Sequence, residues 1–197
     1  MSAGWASVYN GKQLYCLDSK VARIISILEV AKKGERLINH KELFISIIGA
    51  FIAVAMAGFF TNVILSSTDS PLIIASAGAS AMLMFGLPHS DVSHPYNLIA
   101  GHTVSAVVGV SCYYLVSDPI ISSSLAISLA LLIMSLLKCM HPPGGATAVI
   151  AVVGGEAIHQ LGYMFVVMPI FLNSLMLLVV AIAVASFRDK NPFENYL

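Results

Sequence analysis

One string in this chain carries the residue types for anion chemistry at a helix start: His141-Pro142-Pro143-Gly144-Gly145-Ala146-Thr147. Proline suits the first turn of a helix because it has no N–H to leave unpaired. Paired glycines let a ligand approach the main chain closely. A helix that begins at membrane depth presents free N–H groups and a partial positive charge, which favour an anion. Such an end is tolerated there only if it faces protein or a wet cavity. Earlier in the chain, Gly78-Ala79-Ser80-Ala81 answers Gly145-Ala146-Thr147-Ala148. Gly78, Ser80, Gly144, Gly145 and Thr147 are therefore candidate substrate-binding residues, with the two hydroxyls adding donors. The competing reading of these small residues is tight helix packing.

Two histidines join them. His102 stands about one turn inside an apolar span, where it either touches the permeating species, relays a proton, or serves as a structural side chain. His141 sits beside the expected helix N-terminus. His89, Asp91 and His94 form His-x-Asp-x-x-His in one loop, a weak metal pattern, and no metal site is assigned. His40 and His159 are expected to face solvent. No Asp, Glu, Lys or Arg lies inside the long apolar segments, which removes carboxylate-based pumping and an intramembrane aspartyl protease. Ser105 shares a helix face with His102, but nothing marks it as a nucleophile, so no catalytic residue and no enzyme is expected. Cys16, Cys112 and Cys139 form no CxxC pair, and no cofactor is implied. Gly49, Ala53 and Ala57, like Gly101, Ser105 and Gly109, read as helix-packing seams. Pro169 with Asn173 predicts a kink, with Asn173 bonding across helices.

The elements that must hold these residues follow from composition. Hydrophobic residues make up 58% of the 197 and charged residues 10%, against roughly 25% charged in soluble domains. Crossing the bilayer takes roughly 20 apolar residues. Leu43–Leu65, Leu98–Val116, Ile120–Leu137 and Tyr163–Phe187 meet or approach that length, while Pro71–Leu87 and Pro142–Gly154 are shorter. The order long, short, long occurs twice. The expected fold is an all-α membrane protein of six transmembrane segments. They form two inverted three-helix repeats, 43–116 and 120–187, each with a short central helix. Seven of the ten Lys and Arg residues precede the first long run, so the arm, residues 1–42, and the tail, residues 188–197, are expected to be cytoplasmic. Within the arm, Ser19–Lys33 has amphipathic helical spacing. No apolar leader with a cleavage site opens the chain, so insertion is expected to rely on the spans. A bacterial inner (plasma) membrane is the expected location. Net charge is zero, which gives nucleic acid no electrostatic support. A homodimer is the default assembly.

The string from His141 to Ala148 resembles the signature that gives the HPP family of integral membrane proteins its name. The resemblance runs over roughly Leu43–Phe187. It takes in Gly78-Ala79-Ser80-Ala81, the Pro88-His89-Ser90 turn and the pair Gly101-His102. Gly144, where Ala is expected, and His94-Pro95, where Gln-Pro is commoner, depart from the pattern. The resemblance implies membrane transport of a small inorganic anion, with nitrite the substrate associated with photosynthetic relatives. The alternatives are a non-transporting membrane scaffold or sensor partner, and a metal- or proton-coupled transporter using His89, His94 and His102.

Overall fold

The computed structural model describes residues 8–9, 12–13, 40–65 and 70–188. The chain divides into two units, residues 1–40 and 41–197. In the first, β1 (Val8–Tyr9) and β2 (Lys12–Gln13) form a short antiparallel ribbon, with Val8 opposite Gln13 and Tyr9 opposite Lys12. The amphipathic stretch expected at Ser19–Lys33 lies outside the described residues.

The rest of the described chain is helical. α1 (His40–Leu65) has 26 residues, about 39 Å at 1.5 Å per residue. Its buried residues Ser46, Gly49, Ala53, Ala57, Thr61 and Leu65 form one stripe at helical spacing. Phe51, Phe59 and Val63 on other faces are 74%, 76% and 77% exposed, an outward apolar surface suited to lipid. α2 (Ser70–Gly86) is shorter, at 17 residues, and a 3-10 turn at Asp91–Ser93 follows it.

α3 (Pro95–Leu115) starts where His94 caps it, its Nδ1 accepting the Tyr96 N–H at 3.2 Å, with Pro95 in the first turn. α4 (Pro119–Leu136) repeats the device: Asp118 accepts the N–H groups of Ile120 and Ile121 at 2.9 and 2.8 Å. Such caps satisfy N–H groups that the helix itself cannot. α4 ends in a Schellman turn. Lys138 takes the left-handed conformation, φ 54°. The Cys139 N–H reaches back to Met134 O at 2.9 Å, and that of Lys138 to Ser135 O at 3.3 Å. This turn delivers His141 to the start of α5 (Pro143–Val153), 11 residues long. α6 (Glu156–His159), one turn missed by sequence patterning, precedes a π-helical segment at Val166–Phe171 with Pro169 inside it. α7 (Leu172–Arg188) completes the described chain.

Among the described residues, four helical stretches are long and apolar enough to cross a membrane: His40–Leu65, Pro95–Leu115, Pro119–Leu136 and Val166–Phe187. Leu72–Gly86 and Pro143–Val153 are the shorter apolar helices. The long and short segments thus fall in the expected order.

Packing sorts these helices into two blocks. One core joins Ala53 and Ala57 of α1, Ala81 and Phe85 of α2, and Leu177 and Ala181 of α7. Another joins Val108 and Cys112 of α3, Ala126 and Ala130 of α4, and Ala148 and Val152 of α5. The expected Gly101, Ser105, Gly109 seam lies in this second block. A Cβ at Gly109 would meet the Ala148 carbonyl oxygen, and one at Gly101 would come 2.7 Å from His141 Cβ. A third core, including Ile73, Ala106, Ile150 and Phe165, connects the blocks.

Candidate functional site

Polar residues are scarce in this interior, yet five of them converge where α2, α3 and α5 meet. Ser76 and Ser80 lie one turn apart on α2, so both face the same way. Thr147 sits in the second turn of α5. His102 projects from the first half of α3, and His141 enters from the turn before α5. Ser80, His102, His141 and Thr147 are at most 5% exposed, and Ser76 2%. Burying such groups without partners would be costly, and here the partners are one another.

The contacts form a continuous chain. Ser76 Oγ lies 2.8 Å from Thr147 Oγ1, and Thr147 Oγ1 lies 2.8 Å from His102 Nδ1. His102 Nε2 is 2.7 Å from Ser80 Oγ, which is 3.1 Å from His141 Nε2. His141 Nδ1 donates to the Val92 carbonyl oxygen at 2.7 Å. Ser76 and Ser80 also reach the main-chain oxygens of Pro143 and Ser76, at 3.3 and 3.2 Å. The two imidazole rings are 4.9 Å apart, centre to centre.

A cavity opens beside this chain. Its polar lining is Ser76, Ser80, His102, Thr147, Asn173 and Ser174, with Ile73, Ala77, Leu98, Ile170 and Leu177 completing it. It is large enough to hold a water molecule. Asn173 is held by Thr61 of α1, with Nδ2 donating to Oγ1 at 2.7 Å. This is the cross-helix bond expected of it. Its Oδ1 is buried without a partner.

Four of the seven candidate residues, Ser80, His102, His141 and Thr147, are therefore brought together. The three glycines are not. Nothing lies within 4 Å of a Cβ placed at Gly78. A Cβ on Gly144 would lie 2.8 Å from Ser105 Oγ and 3.0 Å from Gly101 O, and one on Gly145 would lie 3.4 Å from Ile127. The N–H groups of Gly144 and Gly145 donate to His141 O and Pro142 O at 2.9 and 3.0 Å. The expected ligand approach to this main chain is corrected accordingly: Gly144 admits the backbone of α3, and the hydrogens of both glycines are used inside the turn.

Other expectations resolve in the same way. His40 is exposed. His159, expected in solvent, instead stacks on Tyr113 with ring centres 3.8 Å apart, its Nε2 donating to Val152 O at 2.9 Å. His94 serves as a helix cap, and no group of three or more His, Cys, Asp or Glu among the described residues is placed to hold a metal ion. Ser76 was missed by sequence reading. Its signal was the i, i+4 relation to Ser80 on a helix with few other polar residues.

Comparison with known proteins gives a family. A profile described as the HPP transmembrane region matches residues 35–193. Two relatives from Dictyostelium discoideum are described as transmembrane proteins. One is 39% identical over 129 residues, covering 64% of this chain and 45% of the relative. The other is 33% identical over 160 residues, covering 79% of this chain and 51% of the relative. The chain thus spans about half the length of these curated relatives. No solved structure matches it. The profile covers the helices from α1 to α7 and the polar cluster among them: the chain belongs to the HPP family of integral membrane proteins.

Proposed function

We propose that this chain carries a small inorganic anion across the bilayer, bound in the polar cavity between α2, α3, α5 and the last helical segment. The observation that carries the reading is that cavity: partly open, with hydroxyl, imidazole and amide groups set among apolar side chains, and placed where the two short helices meet. These groups can donate to an oxyanion without any fixed charge. Nitrite is the first substrate to test, because the family resemblance points to it.

Six crossings as two inverted repeats, with both termini cytoplasmic, and a homodimer belong to the same proposal. Ser80 and Thr147, at matching places in the two short helices, reach opposite nitrogens of one imidazole ring, which supports the repeat. A cysteine at exposed Ser117 or Gln160 should then label from outside intact cells. One at exposed His89 should label only after lysis, and outside labelling there would end the six-crossing topology.

Transport itself is tested with purified protein in liposomes challenged with nitrite, nitrate, formate and chloride. At least one should enter faster than into protein-free vesicles. If none does, the scaffold or sensor-partner reading takes its place.

A further inference from the structure

We propose that the protein moves its anion together with a proton, which His141 stores and Ser80, His102, Thr147 and Ser76 pass to the cavity. This rests on the transport reading above and names its coupling. The argument begins with hydrogen counting. The Val92 carbonyl can only accept, so His141 Nδ1 carries a hydrogen. In a neutral ring Nε2 is then an acceptor; Ser80 has one hydrogen for two acceptors, this nitrogen at 3.1 Å and the Ser76 carbonyl oxygen at 3.2 Å, and in the relay order it goes to the nitrogen. His102 Nε2 must therefore donate to Ser80. That leaves His102 Nδ1 to accept from Thr147, and Thr147 to accept from Ser76. Each hydrogen is used once, and all point the same way.

Adding one proton to His141 reverses the order throughout. Nε2–H now donates to Ser80, Ser80 to His102 Nε2, and His102 Nδ1–H to Thr147. Thr147 donates to Ser76, and Ser76 turns to the Pro143 carbonyl, 3.3 Å away. The same atoms thus support two complete hydrogen-bond orders that differ by one proton, as a relay requires. Delivery runs back between them. The His141 Nε2–H bond breaks as Ser80 takes that proton, and Ser80 gives its own to His102 Nε2. His102 Nδ1–H passes to Thr147, the Thr147 hydrogen passes to Ser76, and the Ser76 hydrogen passes to an oxygen of the anion. His141 loses one proton and its positive charge. The anion gains that proton and becomes a neutral acid, and each relay member ends with as many hydrogens as it began with.

A separate observation points to the same cargo. Asn173 lines the cavity, is 5% exposed, and keeps Oδ1 buried without a partner. A bare oxyanion has no hydrogen to give that oxygen, whereas its conjugate acid does. The transfer also removes two buried charges at once, that of protonated His141 and that of the anion, each of which is costly to hold away from water. The groups facing the relay are few. α2 brings Ser76 and Ser80, α5 brings Thr147, and the last helix brings Asn173 and Ser174. The titratable neighbours are the two rings themselves, Cys139 two residues before His141, and Asp91 beside Val92.

The experiment uses the full chain in vesicles filled with a pH-reporting dye, with the membrane potential clamped by potassium and valinomycin. An inward nitrite gradient should acidify the lumen in step with nitrite entry, one proton per ion, above the nitrous-acid leak of protein-free vesicles. Nitrite entry carrying one negative charge per ion, without acidification, would overturn the relay and leave the transport reading standing. No entry of any anion would sink the transport reading instead. Ser80→Ala should lower coupled flux by about 10²-fold, the scale of a general acid–base group, and Ser80→Thr should restore most of it. Unchanged coupled flux in a folded Ser80→Ala protein would also overturn the relay. The wild-type stoichiometry decides the matter even if that variant fails to fold.

Discussion

Where α3 meets α5, main chain lies against main chain; where α1 meets α2 and α7, side chains fill the gap. A Cβ added at Gly109 would strike the Ala148 carbonyl and come 2.7 Å from Ala151 Cβ. Added at Gly49, it would meet the ring of Phe85 at 2.7 Å and a methyl of Val184 at 2.8 Å. The same glycine-and-alanine spacing thus serves two purposes. In one block it removes side chains so that backbones can touch, and in the other it leaves a groove for a large side chain. Side chains can turn aside, whereas a helix backbone moves only as a body.

The sharpest way to break this contrast is Gly109→Val. It should cost about 3 kcal/mol or more, the upper end for overpacking, and abolish transport. Thermal unfolding in detergent would check the first, and anion flux the second. Thr147→Val comes next. It keeps the shape at the junction of the blocks but leaves His102 Nδ1 without its donor, a loss of about 1–3 kcal/mol for a buried group stripped of its partner. Weakened nitrite affinity should accompany it, measurable by titration. Gly49→Ala should cost only about 1 kcal/mol, because Phe85 and Val184 can shift by changes within their rotamer wells. If it proves as damaging as Gly109→Val, the contrast between the blocks is wrong. The smallest effect has the opposite sign. Lys138→Gly should stabilise by about 1 kcal/mol, relieving a side chain from left-handed backbone, as a denaturant midpoint would report.

Much of this was legible in the residues, for reasons that differ by element. Long apolar runs located α1, α3, α4 and α7, because a membrane-spanning helix announces itself by length. The caps at His94 and Asp118, each followed by proline, set two helix starts, at Pro95 and Pro119, ahead of Leu98 and Ile120 where the apolar runs suggested them. The recurrence of Ser80 and Thr147 in matching phrases led to two members of the polar cluster, and His102 stood out as a polar residue within an apolar span. The glycines misled, because small residues before a helix suit an approaching ligand and an approaching helix equally. The meeting of Ser76 and Asn173 at one cavity depends on contacts between distant segments, which no local spacing encodes. His159 was misplaced for the same reason: its partner Tyr113 lies on another helix.

The division into blocks bears on how the chain assembles. α3, α4 and α5 are consecutive, running from Pro95 to Val153, so their backbone contacts form over short sequence separations. The other block cannot close until α7 is made. Its Asn173–Thr61 bond spans 112 residues of chain, and bringing such distant groups together is slow compared with local closure. We therefore expect the middle of the protein to mature first, while α1 and α2 wait beside it for the last helix to arrive. Hydrogen exchange on the intact protein would read the same order in reverse, with α1 amides opening well before those of the α3–α5 contact. Equal protection in both blocks would mean that the chain assembles in one step.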